Sequence, residues 1–393
     1  MTERTCYACG ETTAAPATRC DCGEPLWLDT GPLDFDWNAV ADEPGMWRYA
    51  ELLPFESPGG VADAAGGTSL LRLPRLDEFA GVRLHLKDEG SNPTGSFKDR
   101  GSALGVAAAL ESGADTVGTV SHGNMAMSTA ANAASAGLDC VVLVPDDIPE
   151  SRIDLISQYG PTLLRVVGDY ADLYDRSLEL GAELGIPFLN SDVPLRVEGQ
   201  KTTALEICEA FAPEVPDAIV LPVSSGGHAS SVWKALRELE AADVVDRVPR
   251  LYFAQAAACA PIADAFAAGD ESVSPVEGGE TVAYSIANRD PPSGTRALTA
   301  ARETDGAVVA VSDDEIRAAR GAIAESGGLS VESASATSLA AIRRLAADGE
   351  LDAEDNVVAV ATGRGISESP PASEEASVGQ VGIGELGERL ASR

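Results

Sequence analysis

Short apolar runs and longer alanine-rich stretches alternate along most of the chain. Eight of the runs lie at residues 82–86, 116–120, 140–144, 163–167, 218–223, 251–254, 308–311 and 357–361, most of them without a charged residue. A strand covered on one face alternates apolar with polar positions, whereas one covered on both faces reads as a continuous apolar run. The runs therefore predict buried parallel strands, and the stretches between them predict the helices that cover the sheets. No fixed period links successive units, which disfavours a solenoid. The expected fold is α/β with doubly wound sheets, in which ligands meet the loops at the carboxyl ends of strands.

A chain of 393 residues exceeds one hydrophobic core and predicts about two domains with appendages. Acidic residues number 62 against 28 basic ones, a net charge of −34. Such a surface repels phosphate backbones and anionic headgroups, which argues against nucleic-acid and membrane-surface partners. The same bias, with few aromatics, resembles proteins of high-salt cytoplasms, where dense salt screens self-repulsion. The first residues lack an apolar signal core and no run of eighteen apolar residues occurs, so a soluble cytoplasmic protein is expected.

Lysine is nearly absent, confined to Lys87, Lys98, Lys201 and Lys234. A chain that uses arginine almost everywhere keeps lysine where a deprotonatable amine or a compact ammonium cannot be exchanged for a guanidinium. Lys98 stands in Asn92-Pro93-Thr94-Gly95-Ser96-Phe97-Lys98-Asp99-Arg100-Gly101. The first five residues read as a turn and the run after Gly101 as a helix, which puts Lys98 in the first helical turn. There the helix dipole lowers an amine's pKa, as suits a Schiff-base lysine.

Three strand ends lead into small-residue loops. Ser224-Ser225-Gly226-Gly227-His228 frees several backbone amides and suits a phosphate. Ser121-His122-Gly123-Asn124-Met125 opens an alanine-rich helix, and Thr362-Gly363-Arg364-Gly365 follows the last strand. Taken singly, each is also an ordinary glycine turn or helix cap. Asn190, Ser191, Arg196 and Lys201 gather a guanidinium fork, neutral donors and a point charge, a set that fits an anion or else balances neighbouring carboxylates. Cys6, Cys9, Cys20 and Cys22 form Cys-x2-Cys and a tight Cys-x-Cys, near the pattern of a zinc ribbon, and a structural zinc with no catalytic part is expected. Cys140, Cys208 and Cys259 lie in apolar contexts and read as core residues.

The Phe-Lys-Asp-Arg segment resembles the lysine motif of fold type II pyridoxal-phosphate enzymes, in the form seen in threonine synthases. The Gly-Thr segment 66–70, the loop 121–125, the run 190–201, the element around Glu332 and the Thr-Gly-x-Gly at 362–365 extend that resemblance over roughly residues 60–366, in family order. Four-cysteine knuckles are also carried by many threonine synthases. The resemblance implies the fold type II architecture: a knuckle at 1–30, a large cofactor-binding domain at 31–80 and 195–368, a small domain at 81–194 and a tail at 369–393. It implies pyridoxal phosphate as cofactor, with Lys98 as the catalytic lysine that also holds it. Asn124 would face its phenolic oxygen, Ser224, Ser225, Gly226, Gly227 and His228 its phosphate, Thr362 its pyridine nitrogen, and Glu332 the flank of the ring. Ser121, His122, Gly123 and Met125 would bind the substrate carboxylate side, and Asn190, Ser191, Arg196 and Lys201 the substrate's own phosphate. The implied reaction is conversion of O-phosphohomoserine and water to threonine and phosphate, by a homodimer. Two departures keep alternatives open: the Ser/Gly-rich loop at 224–228 leans toward dehydratases, and Met125 stands where many synthases have threonine. A serine/threonine dehydratase and a cysteate-synthase-like β-replacement enzyme are the alternatives within the fold. A non-catalytic zinc-knuckle binding protein is the alternative of another class, and the acidic surface disfavours it.

Overall fold

The computed structural model describes residues 3–368, apart from Ala15, residues 32–34, His122 and Asp147, together with residues 383 and 390–391. His122 and most of the 369–393 tail thus lie outside the described residues. Three sheets organise the chain. Strands β1 (Arg4–Cys6), β2 (Thr12–Thr13) and β3 (Leu26–Leu28) make a small antiparallel sheet in the order β2-β1-β3. β4 (Leu70–Arg72) and β5 (Arg83–Asp88) join a six-stranded sheet, while β6 (Thr116–Val120), β7 (Asp139–Pro145) and β8 (Thr162–Val166) form a separate parallel sheet. The six-stranded sheet is completed by β9 (Ala218–Pro222), β10 (Arg250–Ala256), β11 (Ala307–Val311) and β12 (Asn356–Ala361), in the order β11-β10-β9-β12-β5-β4. Its strands are parallel except for β4, which runs against β5.

Each predicted run coincides with one of these strands to within a few residues. In β9, Ile219 and Leu221 enter a core with Val232, Trp233 and Leu236, while Ala218 and Val220 enter the opposite core with Leu339 and Ile342. Every residue of β9 is therefore buried, and its apolar character is continuous for that reason. One boundary changes. β5 pairs with β12, so the chain as far as Asp88 belongs to the large sheet, and a small domain beginning at residue 81 starts too early.

Five helices carry or adjoin the candidate site residues: α1 (Lys98–Glu111), α2 (Asn124–Ala136), α3 (Pro194–Gln200), α4 (Gly227–Ala241) and α5 (Ser333–Ala347). α1 and α3 meet backbone to backbone. A Cβ at Gly199 would collide with the Arg100 carbonyl, and one at Gly101 would press within 3.1 Å of Arg196. Glycine at both positions lets Arg196 sit directly against the helix that begins with Lys98. No helix among the described residues is long and apolar enough to cross a membrane.

Candidate active site

β12, α1, α2 and α5 converge where the large sheet meets the smaller one. The Phe97 amide donates to the Thr362 carbonyl at 3.0 Å and the Arg364 amide to the Gly95 carbonyl at 2.8 Å, which fastens the turn before α1 to the end of β12. Asp99 closes that turn, accepting from the Thr94 amide at 2.7 Å and the Thr94 hydroxyl at 2.8 Å. Lys98 accordingly opens α1, as its motif predicts. Its Nζ lies 4.2 Å from the centre of the Phe97 ring. The amine is driven down to about 7, first by burial and then by the Arg196 guanidinium, with Glu332 opposing. Burial is the largest cause and the neighbouring cation the next.

Glu332 is displaced in the opposite direction, up to about 7, chiefly by burial and against the pull of the Asn124 amide. The Asn124 side chain donates to its two oxygens at 2.9 and 3.0 Å. The site therefore holds an amine and a carboxyl that both titrate near neutrality, the arrangement that proton transfer at neutral pH requires. Expected only beside the ring, Glu332 is electrostatically coupled to Lys98 itself. Thr362 lies 3.1 Å from the Ser335 hydroxyl, which also accepts from the Gly363 amide at 2.9 Å. Ser335 was not singled out from the sequence. A serine in a helical first turn carries no distinguishing signal until the end of β12 is placed against it.

The loop 224–228 joins β9 to α4, as predicted. Gly226 is left-handed, at φ 86°, and a Cβ there or at Gly227 would strike the carbonyl of Ser293 or Ser191, respectively. No side chain caps α4, so its first amides remain available to an anion. Ser224 and Ser225 are partly exposed beside them. His228 is buried. Its ring stacks on Phe97 at 4.0 Å and 11°, its Nε2 lies 3.2 Å from the Thr203 hydroxyl, and burial holds it neutral with a pKa of about 3. Its side chain thus supports Phe97 beneath Lys98, so only its backbone is placed with the phosphate loop. In the other loop, the Ser121 hydroxyl accepts from the Gly123 amide at 3.2 Å, and Met125 is buried in the first turn of α2.

The expected phosphate run separates into parts. Arg196 is fully buried against α1, donating to the Ser102 hydroxyl at 2.9 Å and the Lys98 carbonyl at 3.0 Å, while its Nε has no hydrogen-bond partner. Burial lowers it to about 10. Asn190 is an anchor rather than an open donor, accepting from the Val120 amide at 3.0 Å and donating to Ser177 at 2.8 Å. Ser191 is partly exposed, with its carbonyl against Gly227. Lys201 lies elsewhere: its Nζ pairs with Glu198 and, at 2.8 Å, with Glu238, and Lys234 bridges the same two carboxylates. These four charges close a buried ring between α3 and α4, so Lys201 has no charge to offer a substrate. Lys87 is also enclosed, 2.6 Å from Glu206. Lysine persists in this chain also where carboxylates surround a compact ammonium.

The residues fit pyridoxal phosphate. A low-pKa amine, a small-residue loop with uncapped amides and a buried hydroxyl at the end of β12 are brought together, and the Ser96 hydroxyl is buried there with no partner. Residues 61–363 match the family described as pyridoxal-phosphate dependent enzyme. A threonine synthase of Methanocaldococcus jannaschii is 35% identical over 387 residues, covering 95% of this chain and 94% of that protein. One from Methanosarcina acetivorans is 36% identical over 366 residues, covering 91% and 90%. Among solved structures, maize serine racemase superposes with a TM-score of 0.64 at 23% identity, over 83% of this chain and 92% of that one, a likeness of fold.

Proposed function

The chain belongs to the pyridoxal-phosphate-dependent enzymes and, among them, to the threonine synthases, and from that premise we propose that it converts O-phosphohomoserine and water to threonine and phosphate. When bound, the cofactor supplies an aldehyde that condenses with amines and a ring that stores the electron pair of a carbanion. Lys98 would hold it, the α4 amides with Ser224 and Ser225 would receive its phosphate, and Thr362 would serve its ring nitrogen. Once the substrate amine displaces it from the cofactor, the Lys98 amine would take one proton each from Cα and Cβ of the substrate and return one each to Cγ and Cα, with Glu332 placed to relay them. Arg196 would receive the phosphate that leaves Cγ, and water would add its hydroxyl at Cβ, its remaining proton departing with the phosphate.

The observation that carries the substrate assignment is the buried guanidinium of Arg196 on the Lys98 carbonyl, with its Nε unpartnered: a second cation beside the reactive amine suits a substrate with its own phosphate. A dehydratase acting on free threonine offers it no substrate phosphate to receive. Arg196→Ala should lower kcat/KM for O-phosphohomoserine about thirty- to a thousandfold, or about 2–4 kcal/mol, and leave the cofactor's visible absorbance in place. If the unmutated protein chiefly makes 2-oxobutyrate from threonine, and Arg196→Ala leaves that rate unchanged, the dehydratase reading replaces this one.

Four thiols in the knuckle support a structural zinc. Cys6 and Cys22 sulfurs are 3.6 Å apart, as are those of Cys9 and Cys20, with Cys9 and Cys22 at 3.9 Å, and all four lie within 4.8 Å of one another. Four Zn–S bonds of ~2.3 Å in a tetrahedron require sulfurs ~3.8 Å apart. The tight Cys-x-Cys is therefore compatible with ligation. Metal analysis should find one zinc per chain in protein purified without chelator, and stripping it should lower the thermal midpoint; metal-free protein of unchanged midpoint would contradict the assignment. The expected homodimer rests on the resemblance and the high-salt habitat on the acidic composition.

A further inference from the structure

The cysteine knuckle lies far from the cofactor motifs in sequence and directly behind them in space. Trp27 of β3 donates to the Ser230 hydroxyl of α4 at 2.8 Å, and its ring meets that of Trp233 at 5.1 Å. Arg19, adjacent to Cys20, leaves the knuckle and reaches Asp192 at 3.0 Å and the Pro292 carbonyl at 3.0 Å. Asp192 immediately follows Ser191 and is 3% exposed, so this is not a solvated surface pair of little consequence. Its carboxylate also accepts from the Tyr174 hydroxyl and, at 2.9 Å, from Ser293. Ser293 in turn donates its amide to the Ser225 carbonyl at 2.8 Å, and its own carbonyl abuts Gly226. Burial pushes the Asp192 carboxyl up, but Arg19 and then Arg296 hold it below the usual carboxylate range.

We propose that Arg19 is a positioning residue: by holding Asp192 it sets the Ser191 segment and, through Ser293, the phosphate loop at 224–228, so the knuckle is a strap on the active site rather than an appendage. On this proposal the knuckle supports the active site as well as binding its own metal. The substrate side of this role rests on the threonine synthase reading; its cofactor side does not. Without Arg19, Asp192 remains buried with Arg296 as a compensating charge, and the Asp192–Ser293 link between the loops loses the cation that holds it.

The test uses full-length protein and three variants. Arg19→Ala should weaken binding of pyridoxal phosphate to the cofactor-free protein about tenfold, followed by visible absorbance, and lower kcat/KM for O-phosphohomoserine ten- to a hundredfold, mostly through KM. Arg19→Lys should recover much of both. Arg237→Ala removes the cation stacked on Trp27 and Trp233 and so loosens the same interface without touching Asp192; it should leave both constants near those of the unmutated protein. Equal losses in Arg19→Ala and Arg237→Ala would reduce Arg19 to generic docking and overturn the proposal, as would unchanged constants in Arg19→Ala. If the unmutated protein makes no threonine yet Arg19→Ala still weakens cofactor binding, the positioning role stands and the substrate assignment falls.

Discussion

Replacing Lys98 by alanine should reduce turnover at least about a thousandfold, the loss expected when both the covalent attachment of the cofactor and the main proton carrier are removed. Reduction of cofactor-loaded protein with borohydride, then peptide mapping, should place the label on Lys98. The other three lysines are committed: Lys87 to Glu206, and Lys201 and Lys234 to Glu198 and Glu238. Label on any of them would contradict the site. The low pKa also makes a stability prediction for the cofactor-free protein. The folded amine titrates near 7 rather than at the ordinary 10.5, so the unfolded chain binds more protons between those values. Burying the amine therefore costs stability in full below about pH 7, and the cost is relieved as pH rises toward 10.5. Lys98→Ala should gain stability over the unmutated protein at pH 6 and lose that advantage above pH 10; the reverse order in thermal midpoints would contradict the assigned shift.

Arg100→Met should cost about 3–5 kcal/mol of folding stability, because it leaves two buried carboxylates to a single remaining cation. Arg100 is fully buried two residues beyond Lys98. It forks onto Glu89 with two bonds of 2.8 Å and onto Glu206 with bonds of 2.6 and 2.8 Å, and it reaches Thr202 and Thr68 at 2.9 and 3.0 Å. Burial would raise Glu206, but Arg100 first and Lys87 second hold it down at about 2. A depressed carboxylate stabilises the fold above its unfolded pKa near 4.5, and the contribution is lost as pH falls toward 2. The defect in Arg100→Met should therefore be largest at neutral pH and shrink in acid, and Arg100→Met with Glu206→Gln should recover part of it. A shift in urea midpoint that, multiplied by an unchanged slope, amounts to less than about 1 kcal/mol would show that the network contributes little.

The strands were legible because burial on both faces writes an unbroken apolar run, as at β9, and the loops after them because phosphate and turn chemistry both select small residues. β4 was missed: three residues, Leu70, Leu71 and Arg72, on an antiparallel edge are too short to show a period. Lys98 was legible through its own turn-and-helix context. Lys201 was misread because Glu238 and Lys234 reach it from a second helix, whereas local sequence shows only the pairing with Glu198 three residues earlier. Asn190 was misread for a related reason: the same amide that could donate to a phosphate instead ties the Val120 amide to Ser177. The elevated carboxyl of Glu332 and the reach of Arg19 to Asp192 depend on burial and on contacts between segments distant along the chain, which residue types alone do not encode.

The most direct test of the central claim is a parallel incubation of purified, cofactor-loaded protein with O-phosphohomoserine, phosphoserine, threonine and serine, with products identified and kcat/KM measured for each. Threonine and inorganic phosphate should appear in equal amounts from O-phosphohomoserine, at a kcat/KM at least about a hundredfold above that for the unphosphorylated amino acids, since the latter lack the anion that Arg196 is placed to receive. Turnover of threonine or serine to a 2-oxo acid as the leading activity, or replacement chemistry on phosphoserine with O-phosphohomoserine left untouched, would contradict the account.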